Sequence, residues 1–324
     1  MAIRRSRFIE LAGGSALGGF ASAAGTAAGQ DIRTVNVLEV PTDGAKSVLY
    51  AQQANIFRKH GISAEIVPLG SGAAIFAAVL GGSADFGAGS TWPVYQAYAR
   101  GLPLRIVAPA TIYSNDAPDE FLIVRKDAPF RMPSDLNGKV FGSDNTNDIG
   151  VMAARAWLDQ HGGDGKSLHA LALSSPGQLS ALAAGRIDAA ILKPPFLTTA
   201  MDSGQFRQLG TPFDVIGPRA LTSCWVATAD FIAKNPDVVS GFVAGLIEAA
   251  TYTNANQAAT VDMVAAFTGQ DPAVLKRSIR SVTATTVTLA ELQRPLDFGY
   301  KCGVIEPHID LRGLLAASVP LARA

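Results

Sequence analysis

Two stretches of this chain are written to one plan: AAVLGGSADFGAGSTWP at 77–93 and ALAAGRIDAAILKPPF at 181–196. Each runs a short Ala/Leu helix into a glycine, then two residues, an aspartate, an apolar run and a proline-containing loop. Gly82 and Asp85 answer to Gly185 and Asp188 at one offset of 103 residues. The flanks repeat as well. TVNVLEV, AKSVLYAQQANIFRKHG, SAEIVPL, GSGAAIFAAVLGG and ADFGAG read as strand, helix, strand, helix, strand. GKVFGSD, NTNDIGVMAARAWLDQHG, LHALAL, SPGQLSALAAG and IDAAIL read the same way. Both first helices end in His-Gly (His60-Gly61, His161-Gly162), where glycine takes the left-handed position past a helix end. A βαβαβ unit repeated at so long a period is a duplicated domain rather than a solenoid. Its alternation implies, in each copy, a mixed, mostly parallel sheet flanked by helices: an α/β chain of two lobes.

LRIVAPAT and EFLIVRK add strands between the copies. After Pro218 the alternation stops. ALTSCWVATADFI returns from the second lobe, and NPDVVSGFVAGLIEAATYTNAN begins a run of helices, with Asn235 as its cap and Pro236 in its first turn. Thr288 and Glu291 have capping-box spacing in a later one. These helices are expected to pack back on the first lobe. The chain then crosses between lobes twice, near residues 122–125 and 224–227, which makes a hinge. The boundaries expected are an export signal at 1–29, lobe I at 30–123, lobe II at 124–223, and the rest of lobe I with the C-terminal helices at 224–324.

At 324 residues and 48% hydrophobic, the chain can fill two cores. Formal net charge is zero, so no basic excess is present to neutralise phosphates, and nucleic-acid binding is excluded. The apolar run VVSGFVAGLIEAATYT from Val238 carries Glu248 and is too short to span a bilayer. The first residues differ from the rest. Arg4, Arg5 and Arg7 lead into a Gly/Ala-rich apolar run with small residues such as Ala21-Ser22-Ala23. That order is an export signal, of twin-arginine or Sec type, and places the chain in the periplasm with a mature start between Ala24 and Gln30. Cys224 and Cys302 are the only cysteines, either a bridge or two separate buried thiols, and neither spacing suggests a metal site.

Neither G-x-S-x-G, H-E-x-x-H, C-x-x-C nor a Walker A sequence occurs, and GSG at 70–72 and GAG at 87–89 do not complete a dinucleotide fingerprint. No catalytic residue, cofactor or metal follows from the pattern. The helix starts say more. Open α/β sheets bind ligands beyond the carboxyl ends of their strands, where helix N-termini offer free N–H groups suited to an anion. Those positions hold Thr42 and Asp43, Ser71 and Gly72, and Ser90, Thr91 and Trp92 in the first copy. In the second they hold Asn145, Thr146 and Asn147, then Lys193 and Pro194. N-capping alone explains any one of them; the set, aimed at one crevice, points to a ligand. Trp92 either stacks on a planar ligand or packs under its loop, Tyr113 sits on a rim loop, and Lys193 either pairs with an anion or is solvated. Asp85 and Asp188 precede their strands and are expected to tie each helix–strand turn rather than touch ligand.

The ordered set of signal, duplicated lobes, GGSADFGAGS, PSDLNGKVFG, ALAAGRIDAAILKPPF and ADFIAKNPDVVSGFVAGLIEAA resembles the substrate-binding proteins of ABC importers, of the aliphatic-sulfonate, taurine, nitrate and thiamine-pyrimidine type. The resemblance covers nearly all of the chain after the signal. It implies a two-lobe periplasmic-binding-protein fold of type II, not an enzyme, acting as a monomer that delivers a small organic anion to an inner-membrane permease. Ligand loops of that family match GSGAA, STWP, NTND and KPPF. Sulfonate-type members often carry Trp-Asp-Pro-aromatic where this chain has Leu192-Lys193-Pro194-Pro195, which makes an anion-pairing lysine plausible. Two alternatives share the fold: a protein that binds or synthesises a thiamine-pyrimidine precursor, and a periplasmic sensor. The yeast enzyme of pyrimidine synthesis depends on a Cys-rich, His-assisted iron site, against which the two scattered cysteines argue.

Overall fold

The computed structural model describes residues 32–146, 148–305 and 309–323; the expected export signal and the mature start lie outside them, as do Asn147 and His308. The first copy builds β1 (Arg33–Glu39), α1 (Lys46–Gln53), α2 (Ile56–Lys59), β2 (Ile62–Pro68), α3 (Gly72–Leu80), β3 (Phe86–Ser90) and α4 (Thr91–Ala99), followed by β4 (Leu104–Pro109) and β5 (Ile112–Ser114). Next come β6 (Phe121–Arg125), β7 (Val140–Ser143), α5 (Ile149–Gln160), β8 (His169–Ala172), α6 (Ser175–Ala183), β9 (Ala189–Leu192), α7 (Phe196–Asp202) and β10 (Phe206–Gly210). The return comprises β11 (Arg219–Leu221), β12 (Ser223–Thr228), α8 (Ala229–Lys234), α9 (Pro236–Ala255), α10 (Val261–Thr268), α11 (Pro272–Arg277), α12 (Leu289–Lys301) and α13 (Leu311–Leu314).

The duplication survives in the sheets. One runs β2-β1-β3-β12-β4 and the other, read in the same sense, β8-β7-β9-β6-β10. In each, three strands of a copy are parallel, and the next two run antiparallel in turn. The repeated aspartates act alike. Asp85 Oδ2 accepts the Asn36 N–H of β1 at 2.8 Å, and Asp188 Oδ2 accepts the Val140 N–H of β7 at 2.9 Å. Each also exchanges a backbone bond with the same residue, so the aspartate locks the start of one strand to its parallel neighbour. Gly82 and Gly185, at φ +75° and +68°, make the left-handed turn before it.

The crossings lie elsewhere than the sequence placed them. Segments 122–125 and 224–227 are interior to β6 and β12, each hydrogen-bonded on both sides. The chain passes between the sheets through residues 110–120 and 211–222, and there β5 pairs antiparallel with β11 as a separate two-stranded ribbon. EFLIVRK forms the strand expected of it, but the passage between the sheets precedes it, and the two passages carry Ile112, Phe213, Ile216 and Leu221 into the core. Beside this ribbon, one apolar cluster runs from Trp92 and Tyr95 of α4 and Leu292 and Leu296 of α12, through Phe213 and Ile216, to Ile149 and Met152 of α5.

The capping box at Thr288 forms, with its hydroxyl accepting the Glu291 N–H and the Glu291 carboxylate accepting the Thr288 N–H. Asn235 stands at the start of α9, but its amide donates back to Phe231 O at 3.0 Å instead of capping. Both cysteines are free; Cys224 is buried in β12, whereas Cys302, expected to be buried, is exposed just past α12. No helix among the described residues is long and apolar enough to cross a membrane.

Candidate ligand-binding cleft

The carboxyl ends of the parallel strands in both sheets face one cleft of about 1090 Å³, its mouth included. From the first sheet come Glu39 and Val40 at the end of β1, Thr42 and Gly44 in the following turn, and Gly70–Ala73 at the start of α3. Gly89 and Ser90 at the end of β3, and Thr222 and Ser223 at the start of β12, complete that wall. Close approach forces glycine here: a Cβ on Gly89 would stand 2.9 Å from the Phe76 ring and 3.3 Å from Gly72 Cα. The opposite wall carries Asp119 and Glu120 just before β6, Asp144, Asn145 and Asp148 between β7 and α5, and Lys193 after β9. Ile149 and Phe213 add apolar surface.

Of the residues expected at the site, Thr42, Ser71, Gly72, Ser90, Asn145 and Lys193 line the cleft. Ser90 also caps α4, accepting the Trp92 N–H at 3.4 Å. The others are placed differently. Asp43 is fully buried: Arg280 Nε donates to Oδ1 at 2.7 Å, and the Ser281 N–H and Lys46 Nζ reach Oδ2 at 2.8 and 3.3 Å. Burial holds the Lys46 ammonium pKa down, against the pull of Asp43. Asp43 therefore anchors the segment at 280–281 beneath the cleft. Thr91 is buried, its hydroxyl donating to Leu221 O at 2.9 Å. Trp92 has no exposed surface; it lies edge-on to Tyr95 and against Gly299 of α12, so it packs under the loop and cannot stack on a ligand. Tyr113 is buried on β5 and donates its hydroxyl to Asp214 at 2.6 Å, bracing one crossing against the other. Thr146 is exposed and Pro194 buried, both off the cleft lining, while Asn147 falls outside the described residues.

The acidity of the lining was missed by a sequence reading that weighed helix ends and Lys193 alone. Five carboxylates, from Glu39, Asp119, Glu120, Asp144 and Asp148, face the cleft with Lys193 as the one cation among the described lining residues. Burial pushes the Glu39 carboxyl up to about 8, against the Val40 N–H and the Lys193 charge. Burial likewise lifts Glu120 to about 7, opposed by Lys193 and helped by Asp119, Asp148 and Asp144. Asp148 is raised to about 6 by burial and by Asp144, although it also caps α5 by accepting the Ile149 N–H at 2.7 Å. The acids, Glu120 first, raise the Lys193 ammonium in turn despite its burial. Helix ends and one lysine were counted as positive; the acids of the same loops outnumber them. Part of the signal was in the sequence, since Glu39 is the last residue but one of TVNVLEV and Asp144 and Asp148 frame NTN.

Residues 45–260, two thirds of the chain, match the family described as NMT1/THI5 like. A Brucella abortus (strain 2308) protein named as a binding protein is 25% identical over 256 residues, covering 78% of this chain and 76% of that one. The taurine-binding periplasmic protein of Escherichia coli (strain K12) is 28% identical over 229 residues, covering 67% and 66%. The alkanesulfonate-binding protein SsuA from Xanthomonas axonopodis pv. citri, bound to MOPS, superposes with a TM-score of 0.70 at 18% identity, over 89% of this chain and 98% of that one.

Proposed function

Because the chain belongs to the NMT1/THI5-like family, we propose that it is the extracytoplasmic solute-binding component of an ABC importer, capturing a small solute between its two sheets and delivering it to the permease. The observation that carries this reading is the cleft itself. Strand ends of two like sheets face each other across it, and two crossings join them. Such a join lets one wall move toward the other around a ligand. The lining supplies hydroxyls, backbone N–H groups and carboxylates, which hold and orient a solute. The relatives named for taurine and alkanesulfonates support solute capture as the role.

Export by the twin-arginine or Sec route, and action as a single chain, belong to the same proposal. The test is native mass spectrometry of protein taken from the periplasm without refolding, followed by uptake of the recovered solute in a strain lacking the gene. A bound small molecule whose uptake falls in the deletion strain is the expected result. Protein that comes out empty, together with unchanged uptake of every solute tried, would refute the role.

A further inference from the structure

Resting on the reading of the cleft as a solute site, we propose that its solute is a small organic cation, held through N–H donors by the carboxylates of Glu39, Asp119, Glu120, Asp144 and Asp148. Ionised carboxylates only accept hydrogen bonds. A sulfonate or carboxylate solute brings further acceptors and like charge, so it meets every ionised member of this lining unfavourably. An ammonium or amidinium brings donors and the opposite charge.

Glu39 makes the case independently of the cluster. It is 6% exposed and lines the cavity, yet its carboxylate accepts only from the N–H of its own neighbour, Val40, at 2.9 Å. The second oxygen has no hydrogen-bond partner among the described residues. Burial keeps this carboxyl largely protonated near neutral pH, and a cation arriving from the cavity supplies the counter-charge that its ionised form lacks. Lys193 does not fill that need: among the described residues its ammonium makes no hydrogen bond or ion pair within 4.0 Å. It acts as a diffuse counter-charge for all five acids.

A bare metal ion is the poorer match. No three of these side chains converge in a metal-holding group among the described residues, whereas an organic cation spreads its donors over several angstroms. Val40, Ile149 and Phe213 supply apolar surface for its body. Binding also has a proton signature. Near neutral pH the raised Glu39 and Glu120 carboxyls hold protons in part. A cation beside them, and beside Asp119, Asp144, Asp148 and Lys193, favours the ionised forms, so those protons leave to the buffer.

The experiment is titration calorimetry of the full chain near neutral pH, in two buffers of different ionisation enthalpy. The probes are benzylamine, benzyl alcohol and benzoate, which put three charges on one skeleton, and taurine against isethionate, which exchange an ammonium for a hydroxyl beside one sulfonate. The amine of each set should bind at least about tenfold tighter than its analogue and release protons. Glu39→Gln and Glu120→Gln, both near-isosteric, should each weaken amine binding by about tenfold or more, while Lys193→Met, which removes a like charge from the cleft, should tighten it. Benzoate or isethionate binding more tightly than its amine, with proton uptake and with loss in Lys193→Met, overturns the cation and leaves solute capture standing. Failure of both amines to bind at millimolar concentration also overturns it, whereas solute capture is decided separately by the uptake measurement.

Discussion

Asp43 sits where water does not reach, with Arg280, Lys46 and the Ser281 N–H as its partners. Asp43→Ala would leave two cations buried without their counter-charge, which costs about 3–5 kcal/mol. Urea unfolding should show that loss, and a loss below about 1 kcal/mol would mean the network is not the anchor described. Gly299 gives a second test at this scale. A Cβ there would lie 2.1 Å from the Trp92 ring, and that ring is enclosed on all sides. Gly299→Ala should therefore cost about 1–3 kcal/mol, readable in the same unfolding experiment. Glu39 makes stability depend on pH. Its folded-state pKa, about 8, lies above the ordinary 4.5, so between those values the folded protein keeps a proton that the unfolded chain has released. Stability then falls as pH rises through that window, by at most about 1.4 kcal/mol per pH unit for this group. Glu39→Gln should flatten the slope; an identical pH profile in the variant would show that other groups set it.

The duplicated helix–turn–strand element can be tested as a pair. Asp85 and Asp188 each accept one backbone N–H from the neighbouring parallel strand, at 2.8 and 2.9 Å, and both are half-buried. Each Asp→Ala variant should lose about 1 kcal/mol or somewhat more, since the strand N–H is left without its acceptor. The two belong to different sheets and share no partner, so the double variant should lose the sum to within about 0.5 kcal/mol. Marked non-additivity would mean that the two sheets are coupled more tightly than a connecting ribbon allows. At the same scale, α4 is fixed from both ends of its surroundings. The Thr91 hydroxyl holds the return crossing, and the Tyr95 hydroxyl donates to Leu292 O of α12 at 2.8 Å. This bracing explains why the aromatic residues of STWPVY serve the core and leave the cleft to Ser90 and Pro93.

For the whole molecule, the two crossings and the β5–β11 ribbon join the sheets, and closure about them is part of the proposed role. Small-angle scattering should give a smaller radius of gyration when a solute proven to bind is saturating. An unchanged radius would count against closure. The cluster through Phe213 and Ile216 to α5 sets what such a motion must respect, since close-packed interiors shift between discrete arrangements rather than deform freely. Export is tested by N-terminal sequencing of protein from the periplasm. A start between Ala24 and Gln30 is expected, and an intact Met1 there would be incompatible with a cleaved signal.

The sequence by itself determined the architecture, because local chemistry repeats wherever its residues repeat. Gly82 with Asp85 and Gly185 with Asp188 specify a left-handed turn and a strand lock without help from distant parts of the chain. The alternation of strand and helix then fixes two mostly parallel sheets, and with them the crevice at their strand ends. Six of the residues expected in that crevice are there, because a position just past a parallel strand leaves little freedom in where the backbone goes. What each side chain does was decided only by tertiary structure. Asp43 turned inward because Arg280, more than two hundred residues away, arrives beneath it. Trp92 is buried because α12 packs over it with a glycine at the contact. The sign of the cleft emerged only when Glu39, Asp119, Glu120, Asp144 and Asp148, scattered over three segments, were brought to one cavity around Lys193. Charge at a site is a sum over space, and a linear sequence does not state which of its charges will be neighbours.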